Sequence, residues 1–105
     1  MNNPNQSSEN DLTIRAFQQF IYDRYYPTDS ARGTPGTFIW FMEEVGELAS
    51  ALGEKERNRE DRDNLIEEFA DVFAWLCTLA NINDVDLTDA LQKYTEGTGP
   101  EGTKS

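Results

Sequence analysis

The sequence predicts an all-α fold: a small bundle of about four helices, completed by oligomerisation. Three observations carry this expectation. First, two apolar runs follow the i, i+3, i+4, i+7 spacing of a helix face. One is Phe38, Phe41, Met42, Val45, Leu48, Ala49 and Leu52; the other is Leu65, Ile66, Phe69, Val72, Phe73, Leu76 and Ala80. Second, no alternating apolar and polar pattern is long enough to make a sheet. Third, the second run is apolar nearly all round between Val72 and Ala80, as in a helix buried on more than one side. A chain of 105 residues has limited core to offer, so a second subunit is expected to cover the rest.

The elements follow in order. Residues 1–10, rich in Asn and Ser, read as a disordered lead. A helical domain spans 11–94. Asp11 is the expected cap of a first helix over about residues 12–26, with Ile14, Phe17 and Ile21, and less firmly Phe20 and Tyr25, facing inward. Pro27 is expected to end it, with a loop to Gly33. Thr34 and Pro35 have the N-cap and first-position chemistry of a second helix, which Gly53 is suited to stop. Glu54 to Asn64 alternates in charge and reads as a solvated connection leading into a third helix over about 60–81. Asp86 or Thr88 starts a short fourth helix through Leu91 and Tyr94. Residues 95–105 hold glycines, a proline and no apolar side chain, and are expected to be a flexible tail.

Charge narrows the function. The formal net charge is −11, from 20 acidic and 9 basic residues. Such a chain is a poor match to nucleic acid or to an anionic membrane. A negative protein acting on a negative substrate needs a bridging cation. With no histidine and Cys77 as the one cysteine, neither a cysteine-histidine zinc site, an intrachain disulfide nor a Ser-His-Asp or Cys-His arrangement can form. A reducing, cytoplasmic setting fits. The N-terminus is not a signal peptide, and no apolar run approaches the ~20 residues of a membrane span. A GxxxxGK[ST] phosphate loop is also missing.

The chemistry is carried by two segments that read alike, Glu43-Glu44-Val45-Gly46-Glu47 and Glu67-Glu68-Phe69-Ala70-Asp71. On helical wheels with Val45 and Phe69 at zero, Glu44 and Glu68 both fall at about 260°, and Glu47 and Asp71 at about 200°. Between the members of each pair on these wheels fall Trp40 and Ala51 in one run, and Asn64 and Trp75 in the other. Acidic residues on helices usually face solvent, and Glu43 and Glu67, at about 160°, suit that role. Against it for the two pairs stand their matched angles and the lack of a Lys or Arg three or four places from Glu44 or Glu47. If the helices pack antiparallel, Glu44, Glu47, Glu68 and Asp71 converge. All-oxygen ligands select hard cations, Mg²⁺ with Mn²⁺ as a substitute. Di-iron bundles also use helical carboxylates but pair them with histidine.

The segment Glu44-Val45-Gly46-Glu47-Leu48-Ala49-Ser50-Ala51-Leu52, followed by Glu68-Phe69-Ala70-Asp71-Val72, resembles the ExxE…ExxD signature of MazG-like nucleotide pyrophosphohydrolases. The likeness runs loosely from Leu12 to Tyr94. It implies an all-α bundle that forms a homodimer or homotetramer, and Mg²⁺-dependent cleavage of a nucleoside triphosphate to the monophosphate and pyrophosphate, a nucleotide house-cleaning activity. It also implies that Glu44, Glu47, Glu68 and Asp71 are the metal ligands. Glu43, Glu47 and Glu67 are then the candidates to orient or deprotonate the attacking water. Trp40 and Trp75 are candidates to stack a base, with core or interface packing as the plainer role. Many members follow the last helix with a basic, asparagine-containing segment. Here Lys93-Tyr94 is followed by Thr95-Glu96-Gly97-Thr98-Gly99. Phosphate contacts then fall to Lys93, to Arg57, Arg59 or Arg62, or to the first helix of a neighbour. Two other readings compete: a non-catalytic helical dimer that binds a metal-nucleotide or a protein, and a purely structural oligomerisation module.

Overall fold

The computed structural model describes residues 11–96; the expected lead (1–10) and residues 97–105 of the expected tail lie outside them. The described residues form three helices: α1 (Ile14–Glu56), α2 (Arg62–Ile82) and α3 (Leu87–Thr95). No strand occurs among the described residues. The expected all-α class holds. Helix α1 is broken by Gly33, whose φ of 78° and ψ of 175° lie outside helical geometry. It is therefore two arms, and the four expected helical rods are present under three names.

The boundaries differ from expectation in instructive ways. The cap of α1 is Thr13, not Asp11: the Ala16 N–H donates to Thr13 Oγ1 at 3.0 Å. Pro27 does not end the first arm, which runs on to the Gly33 break. An interior proline costs about 3 kcal/mol through a missing N–H and a ring clash. Local and tertiary contacts offset it. Ser30 Oγ donates to the Pro27 carbonyl at 3.3 Å, Tyr22 and Tyr26 stack at 4.3 Å, and the last turn buries Asp29 and places Arg32 against α2. The break falls at Gly33 because a positive φ is accessible there without a Cβ penalty. Pro35 lies in the first turn beyond it. The Thr34 hydroxyl accepts a bond from Asn83 Nδ2 at 3.1 Å, which ties the break to the end of α2.

Gly53 does not stop α1 either. The stop comes at Asn58, which takes φ 60°. The Asn58 N–H donates to the Lys55 carbonyl at 3.0 Å and the Arg59 N–H to the Glu54 carbonyl at 2.8 Å, the paired bonds of a Schellman motif. Helix α2 ends the same way at Asp84, with φ 57°, where the Asp84 N–H reaches the Asn81 carbonyl at 3.3 Å and the Val85 N–H the Ala80 carbonyl at 2.9 Å. Asn and Asp tolerate the left-handed region better than other non-glycine residues. Asp61 and Asp86 cap α2 and α3. Helix α3 includes Thr95, one residue past the expected domain edge.

Helix α2 packs against α1 and α3 against the start of α1. Trp40 meets Trp75 while Glu44 meets Glu68 and Asp71, so α2 runs antiparallel to the second arm. A buried amide fixes the other end. Gln18 Nε2 donates to Asn81 Oδ1 at 2.9 Å and to the Val85 carbonyl at 2.8 Å, and Gln18 Oε1 accepts from the Leu87 N–H at 2.9 Å. Arg15 pairs with Asp86 and, at 3.1 Å, with Asp89. Only Ile21, Ala51, Leu65, Cys77 and Ala80 are buried apolar residues among those described. Of the residues expected to face inward, Ile14, Phe20, Tyr25, Phe38, Met42, Leu52, Ile66, Phe69 and Leu76 remain exposed. Helix α2 covers one stripe of α1, and no further helix among the described residues covers the stripes that carry these side chains.

Candidate metal centre

Packing α2 antiparallel to the second arm brings Glu44 of α1 against Glu68 and Asp71 of α2. Each offers one carboxylate oxygen, and the three oxygens lie within 4.8 Å of one another. Glu68 is 8% exposed, while Glu44 and Asp71 are half-buried. Glu44 Oε2 and Glu68 Oε2 are buried without a hydrogen-bond partner. An unpaired buried carboxylate is costly, and buried charges are ordinarily paired or metal-bound. Burial raises the Glu44 carboxyl above its ordinary pKa, with the charges of Glu47 and Asp71 next in effect. Burial, then Glu47, Asp71 and Glu44, raise Glu68 in the same direction. Three converging carboxylates, two of which also bury an oxygen without a donor, fit a hard divalent cation.

Glu47 is exposed and is not one of the three oxygens that converge. It lies close by, since its charge is the largest carboxylate influence on both Glu44 and Glu68. Glu43 and Glu67 are exposed at the margin, and both are felt at Glu44. Trp40 and Trp75 meet edge to face, with ring centres 5.5 Å apart. Together with Glu43 and Glu44 they line a cavity of about 340 Å³ beside the carboxylates.

The expected phosphate-binding cations are placed differently. Arg59 donates to both Glu54 oxygens, at 2.7 and 3.0 Å, and Arg57 approaches the same carboxylate at 3.9 Å. Arg62 pairs with Glu60 at 3.3 Å. These contacts tie the three arginines into the connection between α1 and α2. Lys93 lies over the Tyr94 ring at 4.9 Å on α3. Cys77 is fully buried, and burial pushes its thiol up to about 11, so it is no nucleophile.

The cation that does sit beside the tryptophans is Arg32, which the sequence placed in a loop. Its guanidinium lies 5.4 Å from the Trp40 ring centre and 5.1 Å from that of Trp75. Nε donates to Thr37 Oγ1 at 2.9 Å and Nη2 to Asp29 Oδ1 at 2.7 Å. Asp29 and Thr37 are both buried. The nearest local signal was the Arg32-Gly33 pair itself, a cation directly before a residue able to turn the chain.

Fold and site define an all-α protein with a carboxylate centre between two antiparallel helices. The chain belongs to the MazG family: the MazG nucleotide pyrophosphohydrolase domain matches residues 36–97, more than half of its length. The match includes all four predicted ligands and both tryptophans, and leaves the first arm of α1 outside. No curated protein matches the chain.

Proposed function

We propose that the protein hydrolyses a nucleoside triphosphate to the nucleoside monophosphate and pyrophosphate with Mg²⁺, Mn²⁺ serving as a substitute, as a cytoplasmic house-cleaning enzyme. The observation that carries this reading is the pair of buried carboxylate oxygens, Glu44 Oε2 and Glu68 Oε2, that have no donor within a family of nucleotide pyrophosphohydrolases. Glu44, Glu68 and Asp71 hold the ion, with Glu47 as the fourth, more exposed carboxylate. When bound, the ion offsets polyphosphate charge and makes water more acidic. The net charge of −11 makes such a bridge necessary for an anionic substrate.

The chain's own part is to place and deprotonate water. A water oxygen attacks the α-phosphorus, its proton passes to a carboxylate, and the α–β bridging P–O bond breaks to release pyrophosphate. Glu47 is the best-supported base, being exposed and closest in effect to both Glu44 and Glu68. Glu43, on the cavity beside the tryptophans, and Glu67 are the other candidates.

The competing reading is a protein that binds a metal-nucleotide without cleaving it. The capture of Arg57, Arg59 and Arg62 by nearby glutamates favours it, since those cations are then less available to phosphates. Pyrophosphate release from a panel of triphosphates, with Mg²⁺ and with chelator, decides between the two. Nucleotide binding without release supports the second reading.

A further inference from the structure

A second cavity, of about 390 Å³, lies between the first arm of α1 and α2, with Tyr25, Thr28, Asp29, Arg32, Trp75 and Thr78 in its lining. Trp75 also lines the cavity beside Glu43 and Glu44, so one indole is a wall common to both. The second cavity falls within the ~300–1,000 Å³ usual for small-molecule pockets, which pair apolar and aromatic walls with a few convergent polar groups. Its charged groups, Asp29 and Arg32, are an acceptor and a donor fixed side by side. Asp29 Oδ1 takes one bond from Arg32 Nη2 at 2.7 Å, and a carboxylate has room to accept more. Arg32 is held by Thr37 through Nε, and its Nη1 has no bond among the described residues. Both residues of the pair lie outside the span matched by the family domain, which begins at residue 36.

Building on the triphosphate-cleaving reading, we propose that this second cavity takes the nucleobase, and that Asp29 and Arg32 read its edge in favour of bases with an exocyclic amino group. Trp75 and Tyr25 supply flat walls for the ring, and polyphosphate lies on the Glu44 side of Trp75. The hydrogen-bond pattern sets the preference. Cytosine presents an amino donor beside two acceptors, N3 and O2. Its N4–H₂ donates to Asp29, as carboxylates accept from that group elsewhere, while the Arg32 fork faces N3 and O2. Adenine offers N6–H₂ beside N1. Guanine turns two donors, N1–H and N2–H₂, toward the carboxylate and O6 toward the guanidinium. Uracil and thymine flank their one N–H with two carbonyls, so Asp29 meets a lone pair beside any donor it engages. A carboxylate facing an acceptor leaves both unpaired, which is how polar sites reject near-isosteric ligands.

The test compares CTP with UTP, which differ at this edge in the amino group and the protonation of N3. Wild-type protein with Mg²⁺ is expected to show kcat/KM at least about tenfold higher for CTP, the size of one good paired base contact. Asp29→Asn, which can turn either an amide donor or a carbonyl to the base, should bring the ratio toward one. Equal rates on CTP and UTP in the wild type, or an unchanged ratio in an active Asp29→Asn variant, overturn the proposal while leaving triphosphate cleavage standing. If no triphosphate is cleaved, the cleavage reading fails separately. The preference is then read from calorimetric binding of CTP and UTP in Mg²⁺, where equal affinities overturn the inference. Thr28, an exposed residue on the cavity lining, gives a second variant that does not disturb the buried pair. Thr28→Trp fills the cavity and should raise KM for CTP about tenfold or more while inorganic tripolyphosphate still competes as it does in wild type. An unchanged KM in Thr28→Trp also overturns the proposal.

Discussion

Glu44 and Glu68 stand on antiparallel helices, and each buries a carboxylate oxygen that no donor reaches. Their pKa values are both raised, first by burial and then by Glu47. Nothing in helix packing alone rewards that arrangement, because two like charges are brought together and partly dried. A cation at this point converts the repulsion into attraction.

Glu44→Gln and Asp71→Asn, one on each helix, are therefore each expected to abolish Mg²⁺-dependent pyrophosphate release while leaving the helical circular dichroism signal in place. Both substitutions keep size and remove a negative ligand. Near-full turnover in either variant would mean that the two helices do not share one site.

The exposed apolar surface makes an assembly prediction. Phe38, Ile39, Ile66 and Phe69 are each more than half exposed, at 51%, 66%, 54% and 54%. Patches of this kind mark interfaces or aggregation hazards. Light scattering at micromolar concentration should give a multiple of the 12.0 kDa chain, a dimer or tetramer. A clean monomer refutes the expected subunit interface.

The Gly33 break offers a test of the fold itself. Its φ of 78° with ψ of 175° is a backbone conformation essentially confined to glycine, one that costs an L-residue about 1–3 kcal/mol. An added Cβ would meet only Pro35 Cδ, at 3.9 Å, so the cost is conformational rather than steric. Gly33→Ala should lower unfolding free energy by that amount in urea. It should also lower activity, because the break aims Arg32 at Trp40 and Trp75. A variant as stable as wild type would show that the break can move.

The carboxylate centre was legible in the sequence because helical periodicity maps position onto angle. Glu44, Glu68 and Asp71 needed only the antiparallel packing of two amphipathic runs to meet. What was not legible depended on contacts between distant segments. Pro27 carries a local stop signal, and tertiary packing of Asp29 and Arg32 against α2 overrode it. Gly53 has the local look of a stop, yet Asn58 took the left-handed position. Glu47 shares the wheel angle of Asp71 but stays exposed, since a wheel gives direction and not the tilt between helices. Arg32 could not be placed beside Trp40 and Trp75 without knowing that the first arm bends at Gly33.

Charge at the centre also sets how stability responds to pH and metal. In chelator, Glu44 and Glu68 have folded pKa values raised above their unfolded ones. The folded state then holds more protons than the unfolded one as pH passes between those values. Their contribution is present below the unfolded carboxylate range and is lost as pH rises through the folded values. Asp86 has the opposite sign, lowered chiefly by the Asp89 backbone N–H and further by Arg15. Its contribution is present above the ordinary aspartate range and is lost as pH falls through the folded value. Metal-free protein should thus melt highest at mildly acid pH, losing stability toward neutrality through the glutamates and toward strong acid through Asp86. Under the proposed metal dependence, Mg²⁺ bound to the ionised glutamates only in the folded geometry should add about 2.7 kcal/mol when free metal is 100-fold over its dissociation constant. Thermal melts at neutral pH, in chelator and in millimolar Mg²⁺, test this in wild type and in the double variant Glu47→Gln, Glu68→Gln. Wild type should gain melting temperature with Mg²⁺. The variant should lose most of that gain and melt higher than wild type in chelator, because two of the four crowded charges are gone. Equal Mg²⁺ shifts in the two proteins would place the ion elsewhere and remove the physical reason for reading Glu44 and Glu68 as partners in one centre.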